Sequence, residues 1–345
     1  MRGILPLERE LEIIHNTPIG MAYDGKEDFS LWREKAKNKL RELLGLDRLQ
    51  KCSSLFLEEY RHEHESFTEI RFSFQSEENY FVPCILSVPK AAGEKKSPLM
   101  ICLQGHGTGM HISMGVAKYP PDEEKIKNGD RDFACQCLER GMCALTLEQR
   151  NFGERGGNPR PVCHASSLTA LLTGRTIIGC RVWDIMRAVD TVTKEYGAFF
   201  DADRIMCMGN SGGGTATLYA CALEERISAA ICSCAFCDFE SSIGKQNHCE
   251  CNYIPGIRKY FDMAEIGGMC TPKPLVIVSG LTDGIFPVEG AKKEFDRLKC
   301  NYYAESENPS GCVHVIGQEG HRFYKKEGFE ALYRLLGETK EKYDE

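Results

Sequence analysis

"RIMCMGNSGGGTATLYACALEE", residues 204–225, runs from a short, mostly apolar strand pattern through Gly209-Asn210-Ser211-Gly212-Gly213-Gly214 into a helical pattern. Glycine gives up more backbone freedom on folding than any other residue, so four of them around one hydroxyl mark a turn that is crowded or that lets another group approach the backbone. A strand that reverses into a helix within so few residues needs small neighbours at Gly209 and Gly213 for the two elements to pass. Ser211 is left at the tip of the turn with its hydroxyl exposed.

The same alternation of apolar run, loop and helix extends over most of the chain. "LMICL" at 99–103, "CALTL" at 143–147, "ISAAICSCAF" at 227–236, "PLVIVSG" at 274–280 and "CVHVIG" at 312–317 read as buried strands, and "WDIMRAVDTVTKEYG" at 183–197 as a helix. Continuous apolar runs separated by helices indicate a mostly parallel sheet covered on both faces, a doubly wound α/β architecture. Ahead of it, Phe29, Trp32, Ala36, Leu40, Leu43 and Leu44 recur at helical spacing up to Gly45, which is placed as a C-terminal cap. Ile70, Phe72 and Phe74 then alternate with Glu69, Arg71 and Ser73, and the pattern resumes from Tyr80 to Val88 after a polar turn. An antiparallel hairpin is expected there, with Pro83 confining its second strand to an edge or a bulge. The expected organisation is a helical extension over residues 1–60 packed on a single α/β domain over 61–345, without repeats or linkers.

In parallel α/β sheets ligands bind beyond the carboxyl ends of the strands, where Ser211 sits. A serine hydroxyl becomes a nucleophile at neutral pH when a base takes its proton, and that base needs an orienting acid. His248, His314 and His321 lie downstream of Ser211. His314 falls within an expected strand and reads as a packing residue, whereas His321, in "GQEGHRF", follows that strand in a loop at the same end of the sheet. Asp283, in "SGLTDGIFP", follows the strand at 274–280 directly, while Asp296 lies in a helical pattern and Asp238 precedes a long insertion. The candidate catalytic set is therefore Ser211, Asp283 and His321. A developing oxyanion would meet the backbone N–H of Gly212 at the helix start and a second N–H from "QGHGTG", assigned to His106. The side chains of Gln104 and His106 are alternative pocket-lining groups. Glu148, Arg150, Arg155, Arg181 and Asp184 read as an ion-pair network that ties loops to a helix.

Three long irregular segments, 104–130, 148–180 and 237–272, interrupt the rhythm, and loops of that length are usually binding or lid structures. Their bulky groups, Tyr119, Phe152, Phe236, Tyr253 and Tyr260, are expected to crowd the mouth of the site.

With 43 basic against 50 acidic residues, a net charge of −7 and no long basic run, nucleic acid and anionic membranes are disfavoured as partners. Glu8, Arg9 and Glu10 break the only N-terminal apolar stretch, and no run approaches membrane-spanning length, so a cytoplasmic location is expected. The 18 cysteines then favour reduced thiols over a disulfide framework. Cys232, Cys234, Cys237, His248, Cys249 and Cys251 include the ligand types that zinc uses, but the spacing is imperfect and half the group falls on a buried strand. They are expected to be packed free thiols, with no metal and no cofactor. Whether the chain forms a homo-oligomer is left open.

"CLQGHGTG", "GRTIIGCRVWDIMRAVD", "GNSGGG", "HCECNYIPG", "KPLVIVSGLTDGIFP" and "GHRF" together resemble the α/β-hydrolase superfamily, and within it the acetyl xylan esterase-like and dienelactone hydrolase-like bacterial esterases. The resemblance implies the α/β-hydrolase fold, a Ser211, Asp283, His321 triad, cofactor-free acyl transfer to water and short-acyl ester substrates. Dienelactone hydrolases proper carry a cysteine where this chain has Ser211, and acetyl xylan esterases usually carry a glutamine where it has Gly212. A small peptidase or amidase using the same residues is an alternative reading. So is a non-catalytic binding protein, which a missing triad member would mark; none is missing.

Overall fold

The computed structural model describes residues 5–53, 55–90, 96–156 and 162–338; parts of the expected 1–60 extension, of the 61–345 domain and of the 148–180 insertion lie outside the described residues. In chain order, helices α1 (Pro6–Asn16) and α2 (Phe29–Leu44) precede strands β1 (Phe56–Glu63), β2 (Phe67–Glu77), β3 (Tyr80–Pro89) and β4 (Ser97–Leu103). There follow α3 (Pro120–Lys127), α4 (Phe133–Leu138), β5 (Cys143–Leu147), α5 (His164–Leu171), α6 (Ile177–Tyr196), β6 (Phe200–Asn210), α7 (Gly212–Leu223) and β7 (Ile227–Ser233). The last elements are α8 (Met263–Gly268), β8 (Leu275–Gly280), α9 (Val288–Leu298), β9 (Cys312–Gly317) and α10 (Lys325–Leu336).

Among the described residues the strands form one nine-stranded sheet in the order β1-β2-β3-β5-β4-β6-β7-β8-β9. From β5 to β9 every neighbouring pair is parallel, and β1, β2 and β3 add an antiparallel flank. The alternation of side chains along each parallel strand divides the interior in two. Leu99, Ile101, Leu103, Ile205, Cys207, Leu275 and Ile277 join the core beneath α2, α6 and α7, whereas Met100, Cys102, Met206, Met208, Val276 and Val278 join the core beneath α4 and α10. Both faces are therefore covered, which is why these strands read as unbroken apolar runs. Because the strands are parallel, their carboxyl ends all open on one edge of the sheet, and the segments after β4, β5 and β7 meet there.

Helix α2 starts at Asp28, whose carboxylate accepts the N–H groups of Ser30 and Leu31, and stops at Gly45 in the left-handed region at φ 72°. It buries Trp32, Ala36, Leu40 and Leu44. The Leu44 carbonyl accepts the Thr176 hydroxyl at 2.9 Å and so ties α2 to the start of α6. None of the described helices is long and apolar enough to cross a membrane.

The expected hairpin is β2–β3, with Ile70 opposite Leu86 and Phe74 opposite Val82. The placing of Pro83 is corrected. Strand β3 is interior, flanked by β2 and β5, and Pro83 is tolerated because pairing to β5 begins only at Cys84. The Pro83 carbonyl accepts the Glu148 N–H at 3.0 Å as β5 ends. Strand β1 was not anticipated, and it pairs antiparallel with β2.

Candidate active site

Ser211 lies between the last residue of β6 and the first of α7, with φ 57° and ψ −124°. This is a strained conformation for a residue with a Cβ. Its N–H donates to the Ser233 carbonyl at 2.8 Å and its own carbonyl accepts the Thr215 N–H at 2.8 Å, which pins the turn from both sides. The glycines are required by contact. A Cβ on Gly209 would lie 2.5 Å from the Gly213 carbonyl carbon, and one on Gly214 would lie 2.5 Å from the Ser233 oxygen. A Cβ on Gly213 would collide with the Leu103 carbonyl.

Asp283 and His321, from the loops after β8 and β9, are joined directly: His321 Nδ1 lies 2.7 Å from Asp283 Oδ2. An ionised carboxylate only accepts, so Nδ1 carries the proton and Nε2 is left with its lone pair. Asp283 Oδ1 accepts the N–H groups of Ile285 at 2.8 Å and Phe286 at 3.1 Å, which fixes the acid independently of the histidine. Burial by itself would raise the Asp283 carboxyl, but the hydrogen bond from His321 and the two backbone donors outweigh it and hold the group below its ordinary value. The Phe286 ring stacks on His321 with centroids 6.1 Å apart. Cys234, at φ 46°, brings its sulfur within 4.8 Å of the ligand atoms of Asp283 and His321 and donates to the Arg322 carbonyl at 3.2 Å. No hydrogen bond joins Ser211 Oγ to His321 among the described residues.

The other two downstream histidines stand apart from this couple. His314, on β9, packs on Phe295 and pairs with Ser279 Oγ at 2.9 Å, and burial pushes its imidazole down to about 4. His248 Nε2 donates to the Ile285 carbonyl at 3.1 Å.

On the other side of Ser211 lies the loop after β4. The N–H groups of Gly212 and His106 find no backbone acceptor among the described residues. Gly105 packs against the elbow so closely that a Cβ there would sit 2.9 Å from Ser211 Cβ and 3.3 Å from Arg131 Nη1. Arg131 is 7% exposed, its Nε has no partner, and no carboxylate pairs with it among the described residues. Burial pushes its guanidinium below the ordinary value. Lys125, whose Nζ lies 3.0 Å from where a Gly107 Cβ would be, adds a second cation to this loop. Sequence reasoning missed Arg131 and Phe286, and it grouped Cys234 with the other thiols, whereas the fold places it beside Asp283 and His321; a basic residue in a predominantly polar connection gives no sign of being buried. Gln104 is also settled: its amide donates to Ser113 Oγ at 2.7 Å and to the Arg131 carbonyl at 2.7 Å, so it braces the loop and does not line a pocket.

The charged network forms around Asp184, which accepts Arg150 Nη2 at 2.7 Å and Arg155 Nη1 at 2.7 Å. These two arginines hold the buried Asp184 carboxyl far below its ordinary value against the effect of burial. Glu148 is separate. It accepts the Met110 N–H at 3.2 Å, and burial pushes it up to about 7. Arg181 makes no ion pair with Asp184; it donates to the Arg150 carbonyl and turns toward sulfur. Of the bulky groups expected at the mouth, Phe152 packs against His106 at a centroid distance of 4.8 Å. Phe236 belongs to the core instead, and Tyr260 packs against it.

Residues 179–337 match the prolyl oligopeptidase family, a span that contains Ser211, Asp283 and His321. A curated relative, YtaP of Bacillus subtilis (strain 168), assigned as a hydrolase, is 27% identical over 224 residues, covering 64% of this chain and 72% of its own length. Among solved structures, one assigned as an acetyl xylan esterase from Bacteroides fragilis NCTC 9343 superposes with a TM-score of 0.74 at 16% identity, over 95% of this chain and 85% of that one. The chain has the α/β-hydrolase fold. A glucuronoyl esterase from Solibacter usitatus superposes with a TM-score of 0.66 at 14% identity, over 94% of this chain and 98% of that one. In this hydrolase fold the elbow serine, the acid after β8 and the histidine after β9 occupy the carboxyl edge of the sheet in chain order.

Proposed function

We propose that the protein is a serine hydrolase of carboxylic esters with short acyl groups. The carrying observation is the strained Ser211 elbow at the same sheet edge as the Asp283–His321 couple, beside two N–H groups that find no backbone acceptor among the described residues. Ser211 Oγ attacks the acyl carbonyl while His321 Nε2 takes its proton, and the carbonyl oxygen gains the negative charge. The N–H groups of Gly212 and His106 receive that charge, and the uncompensated Arg131 guanidinium adds a positive field. Collapse of the intermediate expels the alcohol, which takes the proton from His321. Water then attacks the acyl-enzyme, delivers a proton to His321 and releases the acid, and Ser211 recovers its proton. Asp283 stays ionised and holds the imidazole in the required tautomer.

Short acyl chains are favoured because the Phe152 ring packs on His106 and the Phe286 ring stacks on His321, which puts aromatic bulk beside the donor loop and beside the base. Each methylene that fits gains about 0.8 kcal/mol, while one forced into a closed site loses more through strain. The test is a panel of p-nitrophenyl esters. Highest kcat/KM is expected for acetyl or propionyl, with a fall by octanoyl and with loss of turnover in Ser211→Ala at unchanged Tm. His321→Ala should also be severe, whereas His314→Ala should lower Tm more than kcat. Rates that climb to octanoyl would reject the closed acyl site, and undiminished turnover in Ser211→Ala would reject the nucleophile. The prolyl oligopeptidase match favours a second reading, a small peptidase or amidase using the same residues. Faster cleavage of unactivated peptide amides than of esters would select it.

A further inference from the structure

His106, Cys163, Cys249 and Cys251 converge on one point, although His106 and Cys251 are 145 residues apart in sequence. One ligand atom from each lies within 4.8 Å of all the others, and His106 Nε2 is 3.2 Å from Cys251 Sγ. A tetrahedral zinc ion, with Zn–S near 2.3 Å and Zn–N near 2.0 Å, spaces its ligand atoms roughly 3.5–3.8 Å apart, so this cage is of the right size. We propose that these four side chains bind one zinc ion in a closed site of three cysteines and one histidine.

Arg181 supplies an independent argument. It is 0% exposed, and a fully buried cation without a counter-charge is costly. Its Nη1 lies 3.3 Å from Cys251 Sγ and its Nη2 lies 3.7 Å from Cys163 Sγ, and it pairs with no carboxylate among the described residues. Four neutral ligands would leave the guanidinium uncompensated. Three thiolates around a divalent ion carry one net negative charge, which Arg181 neutralises. Phe152 adds to the dry shell, with Arg181 4.3 Å and the His106 ring 4.8 Å from its ring centroid. The donor set of sulfur and imidazole selects zinc over hard cations, and four protein ligands with no open position make the site structural.

The fold thus regroups the cysteines. The cluster expected from sequence is divided: Cys232 and Cys237 pack in the core, and Cys249 and Cys251 meet Cys163 and His106. The ligands come one or two from each of the three long segments, so a single ion fastens all three insertions to one another. It also fixes the His106 ring above Gly212, and with it the loop that offers the second oxyanion donor.

The test uses the full chain purified without chelator under reducing conditions. One zinc per chain is expected by elemental analysis, and cobalt reconstitution should give thiolate charge-transfer absorption with tetrahedral d–d bands. Chelation should lower Tm and free three further thiols to a disulfide reagent, and added zinc chloride should reverse both. Cys249→Ser should weaken zinc binding by at least about tenfold, whereas Cys52→Ser should leave it unchanged. Zinc well below one equivalent after reconstitution with excess zinc chloride overturns the proposal, as does a disulfide between any two of Cys163, Cys249 and Cys251. None of these readouts depends on ester turnover, so the zinc site and the esterase reading fail separately.

Discussion

The His106 imidazole occupies the space into which any side chain at position 212 would project: a Cβ on Gly212 would lie 2.9 Å from both Cε1 and Nδ1 of that ring. This accounts for glycine where acetyl xylan esterases usually carry a glutamine. The volume is filled from the facing loop instead.

Gly212→Ala should therefore push the His106 loop outward and move the two N–H groups proposed to receive the oxyanion. A displacement of about 1 Å in a site of this kind costs on the order of a hundredfold in rate. A drop in kcat of that order with little change in KM is expected in steady-state kinetics. Wild-type kcat in the variant would mean that the ring does not position the donor loop.

Arg131→Met should have opposite effects on rate and stability. Removing the buried cation, which pairs with no carboxylate among the described residues, takes away positive field where the proposed oxyanion would develop, for which a loss of roughly tenfold to a hundredfold in kcat is expected. It also relieves the desolvation of an uncompensated charge, so Tm should rise. A stable variant with unchanged kcat would remove Arg131 from the mechanism.

Glu148 should make stability fall as pH rises. Burial lifts its carboxyl from an ordinary 4.5 to about 7, so between those values the folded chain holds a proton that the unfolded chain releases. The associated stabilisation is full below about 4.5 and is lost as pH passes through about 7, amounting to about 3 kcal/mol. Urea midpoints of wild type and Glu148→Gln should diverge across that window. A constant difference between the two would show that Glu148 is not protonated in the folded state.

The parallel strands and the elbow were legible in the sequence because burial on both faces writes an unbroken apolar run, and because the Ser211 turn admits only small neighbours. Asp283 and His321 could be found by counting strand ends. Strand β1 left no such mark: from Leu57 to Glu63 every residue is exposed, so no hydrophobic alternation betrays it. The grouping of Cys163 with His106 and Cys251 was equally hidden. It depends on how three insertions fold over one edge, and neither spacing nor local composition encodes a meeting between side chains so far apart in the chain. Arg131 was missed for a related reason, since nothing local distinguishes a solvated arginine from one enclosed beside Ser211.

The backbone at Ser211 also bears on the history of the chain. A non-glycine residue held in that region is disfavoured by about 1–3 kcal/mol, an appreciable share of the roughly 5–15 kcal/mol that keeps a typical domain folded. A lineage released from the demand for turnover would gain stability by drifting to glycine at this one position. Such a chain would keep the whole sheet and its helices while losing a single hydroxyl. Here Ser211 carries that cost at φ 57°, where glycine would take the same backbone without it.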